Sequence, residues 1–209
     1  MQAALFDLDG VVVDTESQYT LFWAQEARRL HLPDDFATHV KGQTLTYLFA
    51  TYFPDPQVQK EITEHLDAFE AQISYDFVPG VLTFLQRLRE AGIPTAVVTS
   101  SNEAKMRSLY AAVPHFRRLF TTIRTSADTP RSKPAPDCYQ LAARALGADI
   151  ARCVVFEDSI NGLRSGRASG ARVVALTTSN PPDVVSPLAD LVVPNFESLT
   201  LSAVQALFE

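Results

Sequence analysis

Two aspartates one residue apart, Asp7 and Asp9, stand at the end of the short apolar run Ala3-Ala4-Leu5-Phe6, and Gly10 follows at once. The run has the length of a buried strand, and Gly10 lets the backbone turn out of it. Side chains two apart on a strand point the same way, so the carboxylates share one side of its end. Carboxylates that close repel each other and call for a cation, a proton or a positive side chain. On this stretch alone, a solvated strand end whose aspartates start a turn is the ordinary alternative.

Three later stretches carry groups of matching chemistry. Thr99-Ser100-Ser101-Asn102 follows the apolar run from Ile93 to Val98, and Lys133 lies in the loop from Arg131 to Asp137. Glu157-Asp158-Ser159 follows Cys153-Val154-Val155-Phe156. Each also has an ordinary reading: hydroxyl and amide residues cap helices, loop lysines are solvated, and strand-end acids form turns. At the strand ends of one sheet they would converge as carboxylates, a hydroxyl and a lysine, the set that Mg²⁺-assisted phosphoryl transfer needs. Mg²⁺ is usually held by one or two carboxylates plus substrate and water. Free amides at a helix N-terminus after Thr99 and Ser100 would bind phosphate.

The elements that must position these groups alternate. Val81 to Leu88 forms a helical face that ends at Gly92, Ile93 to Val98 reads as a strand, and a helix starts at Glu103. Leu119 to Arg124 is a weaker strand, followed by a helical face from Cys138 to Leu146. Cys153 to Phe156 is a strand, a helix runs from Ile160 to Gly170, and Arg172–Leu176 and Leu191–Val193 close the series. Alternation of this kind gives a parallel sheet covered on both faces, a doubly wound α/β core that binds ligands beyond the carboxyl ends of its strands.

Between the first two strands the texture differs. Tyr19, Phe22, Trp23, Ala27 and Leu30 recur at helical spacing. A shorter helix is expected from Val40 to Tyr52, with Lys41-Gly42-Gln43-Thr44 at its start. Val58, Ile62, Leu66, Phe69 and Ile73 mark a second long helix. The expected division is therefore a catalytic core of residues 1–15 and 77–209 with a helical cap of 16–76 over its active edge.

Composition narrows the function classes. The 209 residues suffice for one sizeable domain or a core with an insert, and 46% hydrophobic residues allow a true core. A net charge of −6 argues against a nucleic-acid or anionic-membrane binder. The N-terminus lacks the basic region of a signal peptide and no run is long enough for a membrane helix, so a cytoplasmic protein is expected. Cys138 and Cys153 lack metal or redox spacing and read as small core residues. No repeat or low-complexity segment is present, and a monomer is the default.

Asp7-Leu8-Asp9-Gly10, Thr99-Ser100-Ser101, Lys133-Pro134-Ala135-Pro136-Asp137 and Glu157-Asp158-Ser159-Ile160-Asn161-Gly162 together resemble the four motifs of the haloacid dehalogenase superfamily. The resemblance spans essentially the whole chain, and the insert resembles the family's small helical cap. The subgroup it is most similar to contains sugar-phosphate phosphatases and β-phosphoglucomutases. The resemblance implies that Asp7 is the nucleophile and forms an aspartyl phosphate, splitting one hard step into two. It implies Mg²⁺ held by Asp7, the Asp9 backbone carbonyl and Asp158, with Glu157 nearby or one layer behind. Asp9 would be the acid and then the base, and Thr99, Ser100, Asn102 and Lys133 would contact the phosphate or substrate. The implied partner is a small phosphomonoester.

Asp9 sets aside the dehalogenases and phosphonatases of this fold, which lack an aspartate there. A mutase needs a cap cation for a second phosphate. The arginine that typically serves in β-phosphoglucomutases falls at Leu45, and a cap histidine falls at Tyr19. Both departures favour hydrolysis, with Lys41 keeping the mutase as the alternative. A non-catalytic phosphate-binding protein would be free to lose residues that are all present here.

Overall fold

A computed structural model describes all residues 1–209. Six strands form one parallel sheet: β1 (Ala3–Phe6), β2 (Thr95–Val98), β3 (Thr122–Arg124), β4 (Cys153–Glu157), β5 (Arg172–Leu176) and β6 (Leu191–Val193). Their spatial order is β3-β2-β1-β4-β5-β6. The chain therefore builds outward from β1 on one side, then crosses back and builds outward on the other. The switch lies between β1 and β4, where Leu5 pairs with Val155 and Phe6 with Phe156. At such a switch the adjacent connections leave in opposite directions and open a crevice at the carboxyl ends.

The two faces of the sheet follow the two-residue period of its strands. Ala4, Phe6, Val97, Val154, Phe156 and Val174 point into one core, while Ala3, Leu5, Ala96, Val155 and Val173 point into the other. The first core is covered by α5 (Val81–Glu90), α6 (Glu103–Ala112) and α10 (Leu201–Gln205). The second is covered by α7 (Asp137–Ala145) and α8 (Ile160–Ser169). The Phe6 and Phe156 rings stack at 4.6 Å across the β1–β4 pair, which fixes the two strands that carry the acids.

Four helices lie between β1 and α5: α1 (Glu16–Arg29), α2 (Phe36–His39), α3 (Leu45–Tyr52) and α4 (Pro56–Glu70). They enclose a third core around Phe22, Trp23, Phe36, Leu48, Ile62 and Leu66. The single helix expected from Val40 to Tyr52 is divided. Gly42 has φ of 74°, a left-handed value that interrupts a helix, and α3 begins only after Thr44, whose hydroxyl accepts from Tyr47 N. The second long helix ends at Glu70, and Ile73 packs into the main core instead. The weak strand expected from Leu119 keeps only Thr122–Arg124, because Phe120 is buried in the main core.

The chain enters and leaves this helical segment side by side. Val13 and Phe77 form an antiparallel bridge, Asp14 N donates to Asp76 O at 2.8 Å, and Val78 N donates to Val12 O at 3.0 Å. Cys138 and Cys153 are buried free thiols, as their surroundings suggest. No helix is long and apolar enough to cross a membrane. The short helices α9 (Pro182–Val185) and α10 were not foreseen from periodicity; each is too brief to show a repeat.

Candidate active site

Asp7 follows β1 directly, and its N–H still bonds to Phe156 O at 3.0 Å, so the sheet fixes its backbone. Lys133 arrives from the loop before α7 with its side chain 2% exposed. Its Nζ lies 2.7 Å from Asp7 Oδ1, 2.6 Å from Glu157 Oε1 and 3.3 Å from Val98 O. The ammonium thus joins the ends of β1, β2 and β4. Burial disfavours its charge, but the Asp7 and Glu157 carboxylates outweigh that and hold its pKa above the usual lysine value.

Glu157 is fully buried, and both of its oxygens are committed. Oε1 accepts from Lys133 and from Tyr139 OH at 2.7 Å. Oε2 accepts from Asp158 N at 3.0 Å, Ser159 N at 3.2 Å and Ser159 Oγ at 3.1 Å. Asp158 is different. Its Oδ2 accepts from Ser179 Oγ and, at 3.4 Å, from Thr178 Oγ1, whereas its buried Oδ1 has no partner. Asn180 holds the Asp158 carbonyl at 2.9 Å.

Oxygens of Asp7, Glu157 and Asp158 lie within 4.8 Å of one another. Burial pushes the Asp7 carboxyl up to about 8 against the pull of Lys133. Burial and then the Glu16, Glu157 and Asp7 charges raise Asp158 well above the ordinary range. Three buried acids with one lysine and an orphaned carboxylate oxygen suit a hard divalent cation, which would supply the missing charge and reverse these shifts. Gly10 makes room for this arrangement. Its φ of 71° is left-handed, and a Cβ there would stand 2.0 Å from Asp158 Oδ2.

Asp9 stands beside this cluster and faces another way. Its Oδ1 accepts from Thr15 Oγ1 and from Lys105 Nζ at 2.5 Å, and its Oδ2 accepts from Ser101 Oγ at 3.2 Å. The Lys105 ammonium also lies 3.9 Å from the centroid of the Tyr19 ring, whose hydroxyl donates to Glu70 at 2.8 Å. Lys105 is 5% exposed, so this network is shielded from water.

Of the phosphate-site candidates, Thr99, Ser100 and Asn102 line the same pocket as Asp7 and Asp9. Thr99 Oγ1 donates to Ser101 Oγ at 2.8 Å, and Asn102 Oδ1 accepts from Lys105 N at 2.9 Å as the cap of α6. Ser100 Oγ donates to Gly42 O at 2.8 Å, and Asn161 Nδ2 donates to Lys41 O at 2.9 Å. The loop from Lys41 to Thr44 therefore closes the pocket from the helical side, and Thr44 N adds a bond to Ser132 Oγ at 2.9 Å. Gly42 passes so close to the start of α8 that a Cβ would lie 2.4 Å from Ser159 Oγ. The pocket has a volume of about 100 Å³.

Lys105, Tyr139, Glu16 and the run Thr178-Ser179-Asn180 were not singled out from sequence. The last follows β5 at the same edge as the other motifs, so the rule that found those would have found it. Lys105 sits in the first turn of a helix, where nothing in the sequence distinguishes a buried partner of Asp9 from a solvated charge.

Residues 1–170 match the haloacid dehalogenase-like hydrolase family. Hexitol phosphatase A of Escherichia coli is 34% identical over 206 residues, covering 95% of this chain and 93% of the relative. The probable pseudouridine-5'-phosphatase of Saccharomyces cerevisiae is 32% identical over 200 residues, covering 83% of this chain and 81% of the relative. In three dimensions, β-phosphoglucomutase from Clostridium difficile superposes with a TM-score of 0.80 at 20% identity, over 100% of this chain and 97% of that one, a likeness of fold. The match along most of the chain and the convergence of its four motifs on one sheet edge agree: the chain belongs to the haloacid dehalogenase-like hydrolases.

Proposed function

We propose that this hydrolase is a Mg²⁺-dependent phosphatase of a small phosphomonoester, a sugar phosphate or similar metabolite, acting through an aspartyl phosphate on Asp7. The observation that carries this reading is the cluster of Asp7, Glu157 and Asp158 within 4.8 Å, with Asp158 Oδ1 unpartnered. The phosphatase names of the two curated relatives support it. Residues 1–15 and 77–209 would act as the catalytic core and 16–76 as its cap.

Asp7, Asp158 and the Asp9 carbonyl would hold the metal. Glu157, with its oxygens committed to five donors, would serve one layer behind by fixing Lys133. Bound Mg²⁺ supplies positive charge that keeps Asp7 ionised and lowers the repulsion between its carboxylate and an anionic phosphoryl group. Asp7 attacks the phosphorus in line, and Lys133 balances charge on the equatorial oxygens. Thr99 Oγ1, the Ser100 amide and the N-terminus of α6 behind Asn102 orient those oxygens. Asp9 gives a proton to the leaving oxygen, then takes one from the water that cleaves the aspartyl phosphate. Lys105, Thr15 and Ser101 hold the Asp9 carboxylate for both transfers.

A mutase would need a cationic site for a second phosphate. Lys41, the cap cation in the pocket, lies 3.2 Å from Glu16 Oε2, which favours hydrolysis. The test is phosphate release from p-nitrophenyl phosphate, expected to require Mg²⁺ and to vanish in Asp7→Asn. No Mg²⁺-dependent release across a broad phosphomonoester panel refutes the proposal. Conversion of β-glucose 1-phosphate to glucose 6-phosphate with little free phosphate replaces it with the mutase.

A further inference from the structure

Three stretches of the core each lend one side chain to the loop from Lys41 to Thr44. Ser100 follows Thr99, Ser132 precedes Lys133, and Asn161 stands three residues after Asp158. Ser100 Oγ donates to Gly42 O at 2.8 Å. Asn161 Nδ2 donates to Lys41 O at 2.9 Å and, at 3.4 Å, to His39 O. Ser132 Oγ accepts from Thr44 N at 2.9 Å. On the loop side every one of these groups is main chain. The loop is thus held by its backbone, while Lys41 and Gln43 line the pocket.

The local geometry makes the fit a close one. Ser159 Oγ caps α8 by accepting from Gly162 N at 3.0 Å, which sets Asn161 in the first turn of that helix. Gly42 lies against the same turn, where a Cβ would stand 2.4 Å from Ser159 Oγ. The left-handed φ at Gly42 and the Thr44 cap of α3 fix the course of the loop between these contacts. Every partner in them belongs to the chain, so the contacts need no substrate to form. Each such bond shifts an equilibrium between held and released loop by about two- to tenfold.

We propose that Ser132 and Asn161 are positioning residues that latch the Lys41–Thr44 loop over the pocket before substrate arrives. Substrate then enters through release of the loop, and the wall on the leaving-group side is built in advance. The kinetic consequence rests on the phosphatase reading, whereas the placement of the loop does not. A bond present both in the free enzyme and in the transition state cancels from kcat/KM, which compares those two states. A bond made only after substrate binds does not cancel.

Amide hydrogen exchange on the free protein tests the latch without turnover. Thr44 N is the loop amide that donates to the core. Its exchange in the wild type is expected to be slowed. Asn161→Ala removes only the contacts to Lys41 O and His39 O, yet it should speed exchange at Thr44 by about two- to tenfold, because the loop is released as a unit. A purely local role for Asn161 would leave Thr44 unmoved. A wild-type Thr44 amide that exchanges as fast as unstructured chain overturns the proposal, as does an unchanged rate in Asn161→Ala. Turnover of p-nitrophenyl phosphate is the second arm. In Ser132→Ala and Asn161→Ala, kcat/KM should stay at about half the wild-type value or above. A fall below that in either folded variant means that substrate assembles the latch, and overturns the proposal. No release by the wild type from any phosphomonoester refutes the phosphatase reading, and exchange at Thr44 then decides the latch by itself.

Discussion

Glu157→Gln and Asp158→Asn each turn one of two adjacent buried carboxyls into an amide, yet their effects on metal-free stability should have opposite signs. Glu157 accepts from Lys133, Tyr139, Asp158 N, Ser159 N and Ser159 Oγ. An amide there must turn its NH₂ toward one set of donors and weakens the hold on a buried ammonium. Breaking a buried pair costs about 3–5 kcal/mol, and because Lys133 keeps Asp7 the lower end applies. With an m-value of about 2–3 kcal/mol/M, a loss of about 3 kcal/mol lowers the urea midpoint by roughly 1 M. Asp158→Asn works the other way. Its Oδ1 has no donor, and the acids of Asp7 and Glu157 lie nearby. An amide is neutral without taking up the proton that the raised Asp158 pKa demands at neutral pH, and it can donate to a neighbouring carboxylate, for a gain of about 1 kcal/mol and a midpoint a few tenths of a molar higher. The assay is urea unfolding in EDTA at neutral pH. Midpoints that move in the same direction refute the assignment of Glu157 as an anchor and Asp158 as the acid awaiting a cation.

Other outcomes follow from the same geometry. In metal-free protein, the Asp7 carboxyl is pushed from 3.8 up to about 8, so between those values the folded state holds a proton that the unfolded chain has released. Stability should therefore fall as pH rises through that window, with Asp158 acting in the same direction, and urea midpoints in EDTA should fall from pH of about 5 to about 8, with a shallower fall in Asp7→Asn. Lys105→Met keeps the stem's packing but removes the ammonium that lies 2.5 Å from Asp9, and steady-state kinetics should show a lower kcat. Loss of a hydrogen bond to a charged group corresponds to about tenfold or more in rate, less whatever Thr15 and Ser101 retain. Gly42→Ala places a Cβ 2.4 Å from Ser159 Oγ at a φ of 74°. Backbone strain of about 1–2 kcal/mol and a displaced loop should lower Tm and raise KM more than they lower kcat.

Much of the site was legible because its rule is one-dimensional: polar residues immediately after a buried strand lie at the sheet's active edge. That rule placed Asp7, Thr99, Glu157 and Asp158 from sequence, and six apolar runs marked the six strands. Extended to the residues after β5, it would have reached Ser179 and Asn180. Strand and helix ends were less legible, because they depend on tertiary contacts. Phe120 is drawn into the main core, which shortens β3, and Gly42 and Thr44 break what periodicity joins into one helix. Lys105 was not legible at all. Its importance comes from meeting Asp9 and Tyr19, and neither contact leaves a periodic trace. Lys41 could be named as a cap cation, but the carboxylate that cancels it lies far back in the chain at Glu16.

The paired strands at the mouth of the helical segment have a consequence for how such a molecule can change over time. Val13 bridges Phe77, and Asp14 bonds to Asp76, so the segment hangs from two neighbouring points fastened together. A segment attached in this way can be exchanged at one closed pair of ends, provided that its replacement restores the packing of Ile73 and Tyr75 in the main core and the bond from Ser100 to Gly42. Asp7 lies on the fixed side of that clasp and Gln43 on the exchangeable side. On the proposed function, the bond-breaking groups and the choice of what is broken would then lie on opposite sides of the clasp, and a graft made at Asp14 and Asp76 with those contacts kept is expected to transplant selectivity as a unit.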